Sequence, residues 1–237
     1  MRFSPHNMKG VSCVIAAYNE GKRIHNVLSA VENHPLIDEV IVVNDGSSDT
    51  TKEVVERWPG VTLINLPKNR GKSFAVVTGI RNAKFDYLCM LDADLVGICK
   101  EDVTRLIEPV LNGEADISIS LRKNSLPIMH LIGMDYISGE RVFKKAIIAP
   151  HLDDIEKLPS FAIESFFNQV LIDNSHRIKI VKWKNVITPR KSAKAGFWKG
   201  IWGDIKMIRE IIQLVSVKGI IKQNYRMHKL KVDRKSH

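Results

Sequence analysis

The sequence has no unbroken apolar run of about 18 residues, so no transmembrane helix is expected. Its opening, Met1-Arg-Phe-Ser-Pro-His-Asn7, has no apolar leader core. Cysteine is scarce and odd in number, at positions 13, 89 and 99, which excludes a disulfide scaffold. Cys13 and Cys89 fall in apolar runs and read as buried thiols of a reducing compartment, so the expected location is the cytoplasm. No G-x-G-x-x-G follows the first apolar run, so a dinucleotide fingerprint is missing. Gly71-Lys72-Ser73 lacks the upstream glycine of a phosphate loop, because Leu66 stands there. Internal repeats, low-complexity segments and nucleic-acid-binding motifs are also absent, so no nucleic-acid partner is expected.

What is present is an alternation of short apolar runs and helical periodicity. Val11–Ala17 reads as a buried strand and is followed by Tyr18-Asn19-Glu20. Ile24, Val27, Leu28 and Val31 then recur at helical spacing. Glu39–Val43 is a second strand, ending in Asn44-Asp45-Gly46-Ser47-Ser48-Asp49-Thr50-Thr51, with Thr50 and Glu53 spaced as a capping box. Val61–Ile64 is a third strand and leads through Lys68-Asn69-Arg70-Gly71-Lys72-Ser73 into another helix. Asp86–Leu91 is a fourth, ending in Asp92-Ala93-Asp94. Ile178–Trp183 alternates and predicts a further strand. Such alternation predicts an α/β fold, a mostly parallel sheet with helices on both faces. All four polar clusters then fall on the carboxyl edge, where ligands of open α/β sheets bind. Asp92 and Asp94 offer hard oxygen ligands there, suited to Mg²⁺ or Mn²⁺ completed by water and phosphate oxygens.

The order A-A-Y-N-E, V-V-N-D-G-S-S-D-T-T, N-R-G-K-S, L-D-A-D resembles the nucleotide-binding half of family 2 glycosyltransferases with the GT-A fold. The likeness spans roughly residues 10–122. Ser138-Gly139-Glu140-Arg141 resembles an element of the dolichol- or polyprenyl-phosphate mannosyltransferase-like branch. The chain departs from that branch at Val96, where a glutamine is common. The resemblance implies that Ala17, Tyr18 and Glu20 line the nucleobase and ribose pocket, and that Asp45 accepts a hydrogen bond from the base. It places Arg70 and Lys72 near the nucleotide and gives Asp92 and Asp94 to ribose and metal. Several GT-A enzymes add a C-terminal histidine to the metal, and His176 is the expected counterpart here.

The expected organisation is a catalytic domain over 1–190, with nucleotide-sugar binding in 10–122 and an acceptor subregion in 123–190. A basic amphipathic extension covers 191–237. Residues 177–237 hold 17 basic and 3 acidic residues, a net +14, against 19 basic and 23 acidic elsewhere, a net −4. Within the extension, Phe197, Trp198, Ile201, Trp202, Ile205, Ile208, Ile211, Ile212 and Val215 fall on one helical stripe. A basic helix with tryptophans at one end fits in-plane contact with the inner face of the cell membrane, and packing on the core is the other use of such a stripe.

The expected reaction is inverting transfer of a hexose from a UDP- or GDP-sugar. A phosphate acceptor such as polyprenyl phosphate needs cations to place it, a role given to Ser138 and Arg141. A small hydroxylated acceptor needs a general base, with Asp153, Asp154 and Glu164 as the candidates beside Asp94 in the catalytic set. Two readings from other classes are a sugar-phosphate nucleotidyltransferase, whose Gly-rich loop is replaced here by Ala16–Glu20, and a non-catalytic membrane-binding module.

Overall fold

Seven strands lie in one sheet in the order β3-β2-β1-β4-β6-β5-β7. The computed structural model describes residues 10–159, 162–189 and 217–232. The strands are β1 (Val11–Ala17), β2 (Glu39–Asn44), β3 (Val61–Asn65), β4 (Tyr87–Asp92), β5 (Ile117–Arg122), β6 (Arg141–Lys144) and β7 (Ile178–Trp183). β1, β2, β3 and β4 pair in parallel, as do β5 and β7. Only β6 runs the other way, between β4 and β5. The parallel strands are near-continuous in Val, Ile and Leu because both faces are covered.

Helices α1 (Ile24–Val31), α2 (Thr51–Val55) and α4 (Lys100–Leu111) accompany α3 (Lys72–Asn82), α5 (Pro127–Ile132), α6 (Leu152–Ile155), α7 (Ile163–Asp173) and α8 (Val217–Lys229). Strand residues alternate between two cores. Cys13, Ile15 and Ala17 of β1 point to the face holding Ile24 and Leu28 of α1 and Leu106 of α4. Val14 points to the face holding Ala75 and Ile80 of α3 and Phe167 of α7. Gly79 of α3 lets the helix close on β1, since a Cβ there would sit 2.4 Å from Val14 Cγ1. The α2 cap differs from the expected capping box. Asp49, not Thr50, accepts from the Thr51 backbone N–H at 2.9 Å, and its second oxygen accepts from Gly21 N at 3.1 Å.

α8 packs on α7: Gln223 Nε2 donates to Ser165 O at 3.0 Å, and Met227 is fully buried. The chain after it bridges the start of β7, where Ile178 N donates to Leu230 O at 2.8 Å. This part of the C-terminal extension therefore completes the core on the α7 face. The Phe197–Val215 stripe lies outside the described residues. Among the described residues no helix is long and apolar enough to cross a membrane.

Candidate functional site

The carboxyl ends of β1, β2 and β4 and the start of α3 enclose a cleft of about 450 Å³. Parallel pairing sets Ala17 beside Asn44 and Ala16 beside Asp92, so three strand-end loops converge. Ala17, Tyr18, Glu20, Asp45, Lys72, Asp92 and Asp94 all line the cleft. Tyr18 is half exposed at its rim, a free aromatic face for a nucleobase.

The loops are tied by their own polar groups. Asn19 adopts a left-handed backbone (φ 57°), and its carboxamide oxygen accepts from Ser48 N at 2.9 Å. Asp45 is buried and its two oxygens accept from Arg70 N (2.7 Å) and Gly71 N (2.9 Å), fixing the turn into α3. Gly46 (φ +66°) admits no side chain, because a Cβ would lie 2.4 Å from the Lys68 carbonyl carbon.

Lys72 is the hinge of the charge arrangement. Its Nζ donates to Asp92 Oδ1 at 2.9 Å and to Glu164 Oε1 at 2.8 Å. Burial opposes the ammonium charge, but the two carboxylates outweigh it and hold Lys72 above the ordinary lysine range. Burial likewise pushes Asp92 up, yet Lys72 and then Arg122 bring it below the usual carboxylate range. Behind Asp92 sits Glu140, fully buried, accepting from Ser120 Oγ at 2.6 Å, from Ser138 Oγ and from Arg122 at 3.3 Å. Burial raises the Glu140 carboxyl, Arg122 opposes that, and the neighbouring Asp92 charge adds to it. Gly139 lies against Asp92: a Cβ there would be 2.6 Å from Oδ1.

Five expected residues fall elsewhere. His176 sits before β7 at the opposite sheet edge, beside Asp116 (3.9 Å), so it cannot share a metal with Asp92 and Asp94. A six-residue strand separates the two edges by on the order of 17 Å at its usual rise. Asp153 pairs with Arg81 at 2.6 Å near the far end of α3, about 14 Å down the helix from Lys72 at the usual rise per residue. Asp154 is exposed on the same turn, so neither carboxylate reaches the cleft as a base. Ser138 and Arg141 are buried and turned inward, which removes them as an acceptor grip. The Arg141 guanidinium donates to Ser138 O (2.8 Å), Asn168 Oδ1 (2.7 Å) and Tyr136 O (3.2 Å), a clamp between α7 and the chain entering β6.

Arg70 is exposed and stacks on Phe74 at 3.8 Å. Its backbone, through Asp45, shapes the site more directly than its charge. Glu164, in contrast, arrives at Lys72 from 92 positions away. Arg122, Glu140 and Asn168 were not foreseen. Each is a polar residue in or beside an apolar run, and burial alone reveals its partner.

Among the described residues no cluster of three or more His, Cys, Asp or Glu side chains is spaced to hold a metal unaided. Asp92 and Asp94 are hard oxygen donors on one cleft wall, so they fit a divalent cation whose remaining ligands come from diphosphate and water.

The profile described as glycosyl transferase family 2 matches residues 12–147. Dolichyl-phosphate beta-glucosyltransferase ALG5C of Trichomonas vaginalis is 32% identical over 160 residues, 56% of this chain and 47% of that protein. Poly-beta-1,6-N-acetyl-D-glucosamine synthase of Staphylococcus epidermidis is 37% identical over 93 residues, 38% of this chain and 23% of that protein. The chain thus spans less than half the length of these curated relatives. Among solved structures, glucosyl-3-phosphoglycerate synthase from Mycobacterium tuberculosis, in complex with Mn²⁺, uridine diphosphate and glucosyl-3-phosphoglycerate, superimposes with a TM-score of 0.63. The two are 21% identical, with 78% of this chain and 74% of that one covered. At that identity the likeness speaks for the fold alone.

Proposed function

Since the chain belongs to glycosyl transferase family 2, we propose that it transfers a hexose from a nucleoside-diphosphate sugar to polyprenyl phosphate at a membrane face, with inversion. The observation that carries this reading is Lys72, held between Asp92 on the donor wall and Glu164 on α7. Tyr18, Glu20 and Asp45 line the cleft where a nucleoside would bind, and Asp92 and Asp94 would hold the cation. Mg²⁺ or Mn²⁺, when bound, neutralises charge on the departing diphosphate.

The chain's residues set the rest. The bond from the anomeric carbon to the diphosphate breaks, and its electron pair leaves with the nucleoside diphosphate. The acceptor oxygen forms the new bond from the opposite face. A phosphate acceptor is already anionic and needs no base. Lys72, kept charged by its two carboxylates, orients Asp92 and offsets part of the negative charge that an anion would meet there. The identity to dolichyl-phosphate beta-glucosyltransferase supports a lipid phosphate acceptor and makes UDP-glucose the first donor to try.

One observation favours a second reading. Of the three bases considered, Glu164 alone contacts a residue of the cleft, Lys72, which keeps it as the candidate base for a small hydroxylated acceptor.

The test is release of nucleoside diphosphate from UDP-glucose, UDP-N-acetylglucosamine and GDP-mannose with Mn²⁺, with and without polyprenyl phosphate in detergent. Release that depends on polyprenyl phosphate is expected. Release with a small hydroxylated acceptor only, lost in Glu164→Gln, would select the second reading. No release with any pair would overturn both.

A further inference from the structure

We propose that α5 with the residue before it is a lipid-docking element, whose exposed Leu126, Ile128 and Leu131 seat in the surface of an anionic bilayer. The inference deepens the lipid-acceptor reading and rests on it for its purpose.

Leu126, Ile128 and Leu131 are 55%, 52% and 83% exposed, three of the six large apolar side chains exposed among the described residues. Ile128 and Leu131 lie on α5, and Leu126 directly precedes it. Met129 and Met134 are buried beneath it, anchoring the inner face. The ends are fixed as well: Pro127 starts the helix and Gly133 (φ +70°) ends it. Lys231 Nζ donates to Gly133 O at 3.2 Å, so the core-packed C-terminal segment holds α5 in place.

The charge around this face identifies the occupant. Residues 123–134 contain no Asp or Glu, while Lys123 is exposed beside them. The next acid, Asp135, is buried and paired with Arg122 at 3.2 Å. The neighbouring groove carries Arg105, Lys179, Lys182 and Lys231 against Glu108 and Glu114. Exposed aliphatic side chains on an acid-free segment, next to a groove with more basic than acidic residues, match the headgroup layer of anionic lipid.

Placement agrees with purpose. The excursion over 123–140 leaves the sheet after Arg122 and returns at Arg141, both at the edge that bears the cleft. Its returning leg lays Gly139 on Asp92. Docking α5 would therefore present the cleft edge to the surface that holds a lipid phosphate.

The experiment is co-sedimentation of the full chain with phosphatidylcholine vesicles, with and without phosphatidylglycerol, comparing wild type with Leu126→Ser/Leu131→Glu. Wild type should bind the anionic vesicles, and the double variant should bind about tenfold or more weakly. Calorimetric affinity for UDP with Mn²⁺ should stay unchanged. Equal vesicle binding by both proteins overturns the inference. So does loss of a wild-type dimer in the variant, which would assign the face to a second copy. A fall in melting temperature of about 4 °C or more would assign it to packing within this chain and also overturn it. Failure of transfer to polyprenyl phosphate with vesicle binding intact would remove the acceptor reading and leave the docking element standing.

Discussion

Lys72, which lines the cleft, and Glu164, 92 positions on in the chain, meet at 2.8 Å. The contact joins the nucleotide half to the acceptor subregion, and Asp92 completes it at 2.9 Å from the same nitrogen. Lys72→Met removes the cation and leaves two carboxylates facing one another. Loss of the group that positions Asp92 should lower transfer by about 100-fold, the scale of removing one preorganised electrostatic group. Lys72→Arg should recover part of it. Steady-state rates for the three proteins check this, and wild-type turnover in Lys72→Met would remove Lys72 from the mechanism.

Asp94→Ala should abolish transfer and Mn²⁺ stimulation while the melting temperature stays within about 2 °C, because Asp94 is on the cleft wall and outside both cores. Mn²⁺ binding in the presence of UDP, followed by electron paramagnetic resonance, gives the direct readout. EDTA should silence the wild type in the same way. Undiminished Mn²⁺ binding by Asp94→Ala would refute the cation site.

Gly139→Ala adds one methyl group 2.6 Å from Asp92 Oδ1. The backbone there lies outside the left-handed region, so the substitution is tolerated by the chain and felt by the carboxylate. Transfer should drop by about 10- to 100-fold, since small misplacements of a positioned group carry that cost. A crystal structure of the variant should show the Asp92 carboxylate displaced.

His176→Ala should leave the Mn²⁺ response unchanged, and Asp153→Ala should leave the transfer rate unchanged. Both residues look to other partners at the opposite edge, Asp116 and Arg81. Metal-dependence curves for the two variants against wild type provide the check. A weakened Mn²⁺ preference in His176→Ala would contradict the placement of its loop.

His34 predicts a pH dependence of stability. It is buried; its Nδ1 accepts from Leu36 N at 3.2 Å, and its Nε2 lies 3.1 Å from Lys100 O, which fixes the neutral ring. Burial lowers its pKa from 6.5. The unfolded chain therefore takes up the proton first, so the stabilisation is whole above pH 6.5 and is lost as pH falls through and below that value. Denaturant melts between about pH 7.5 and 5.5 should show the decline. The slope should be shallower in His34→Gln, and an equal slope would rule out His34 as its source.

Legibility in the sequence followed locality. Val11–Ala17 and Ile178–Trp183 emerge as strands with the boundaries that periodicity gives, because their patterns depend on neighbours in sequence. Six of the seven expected nucleotide residues line one cleft because parallel strands deliver every strand end to one edge. Beyond residue 122 the reading fails where long-range contacts decide. β6 has four residues, too few for a period, and it exists because β4 and β5 flank it. Arg141 looked like a free cation since nothing nearby in sequence shows that Asn168 and two carbonyls await it. His176 is expected at the metal by resemblance, and sequence cannot say that α7 ends at the edge away from the carboxylates.

The reversed direction of β6 has a consequence for how this fold can diversify. Because β6 lies antiparallel between β4 and β5, the segment from 123 to 140 begins and ends on adjacent strands and closes on itself. Its two ends are pinned by Arg122 to Asp135 and by Arg141 to Asn168. Lengthening such a closed segment adds only about 0.6 kcal/mol per doubling, and the sheet register has no need to respond. The nucleotide half can then stay fixed while this one cassette is rewritten to suit a different recipient.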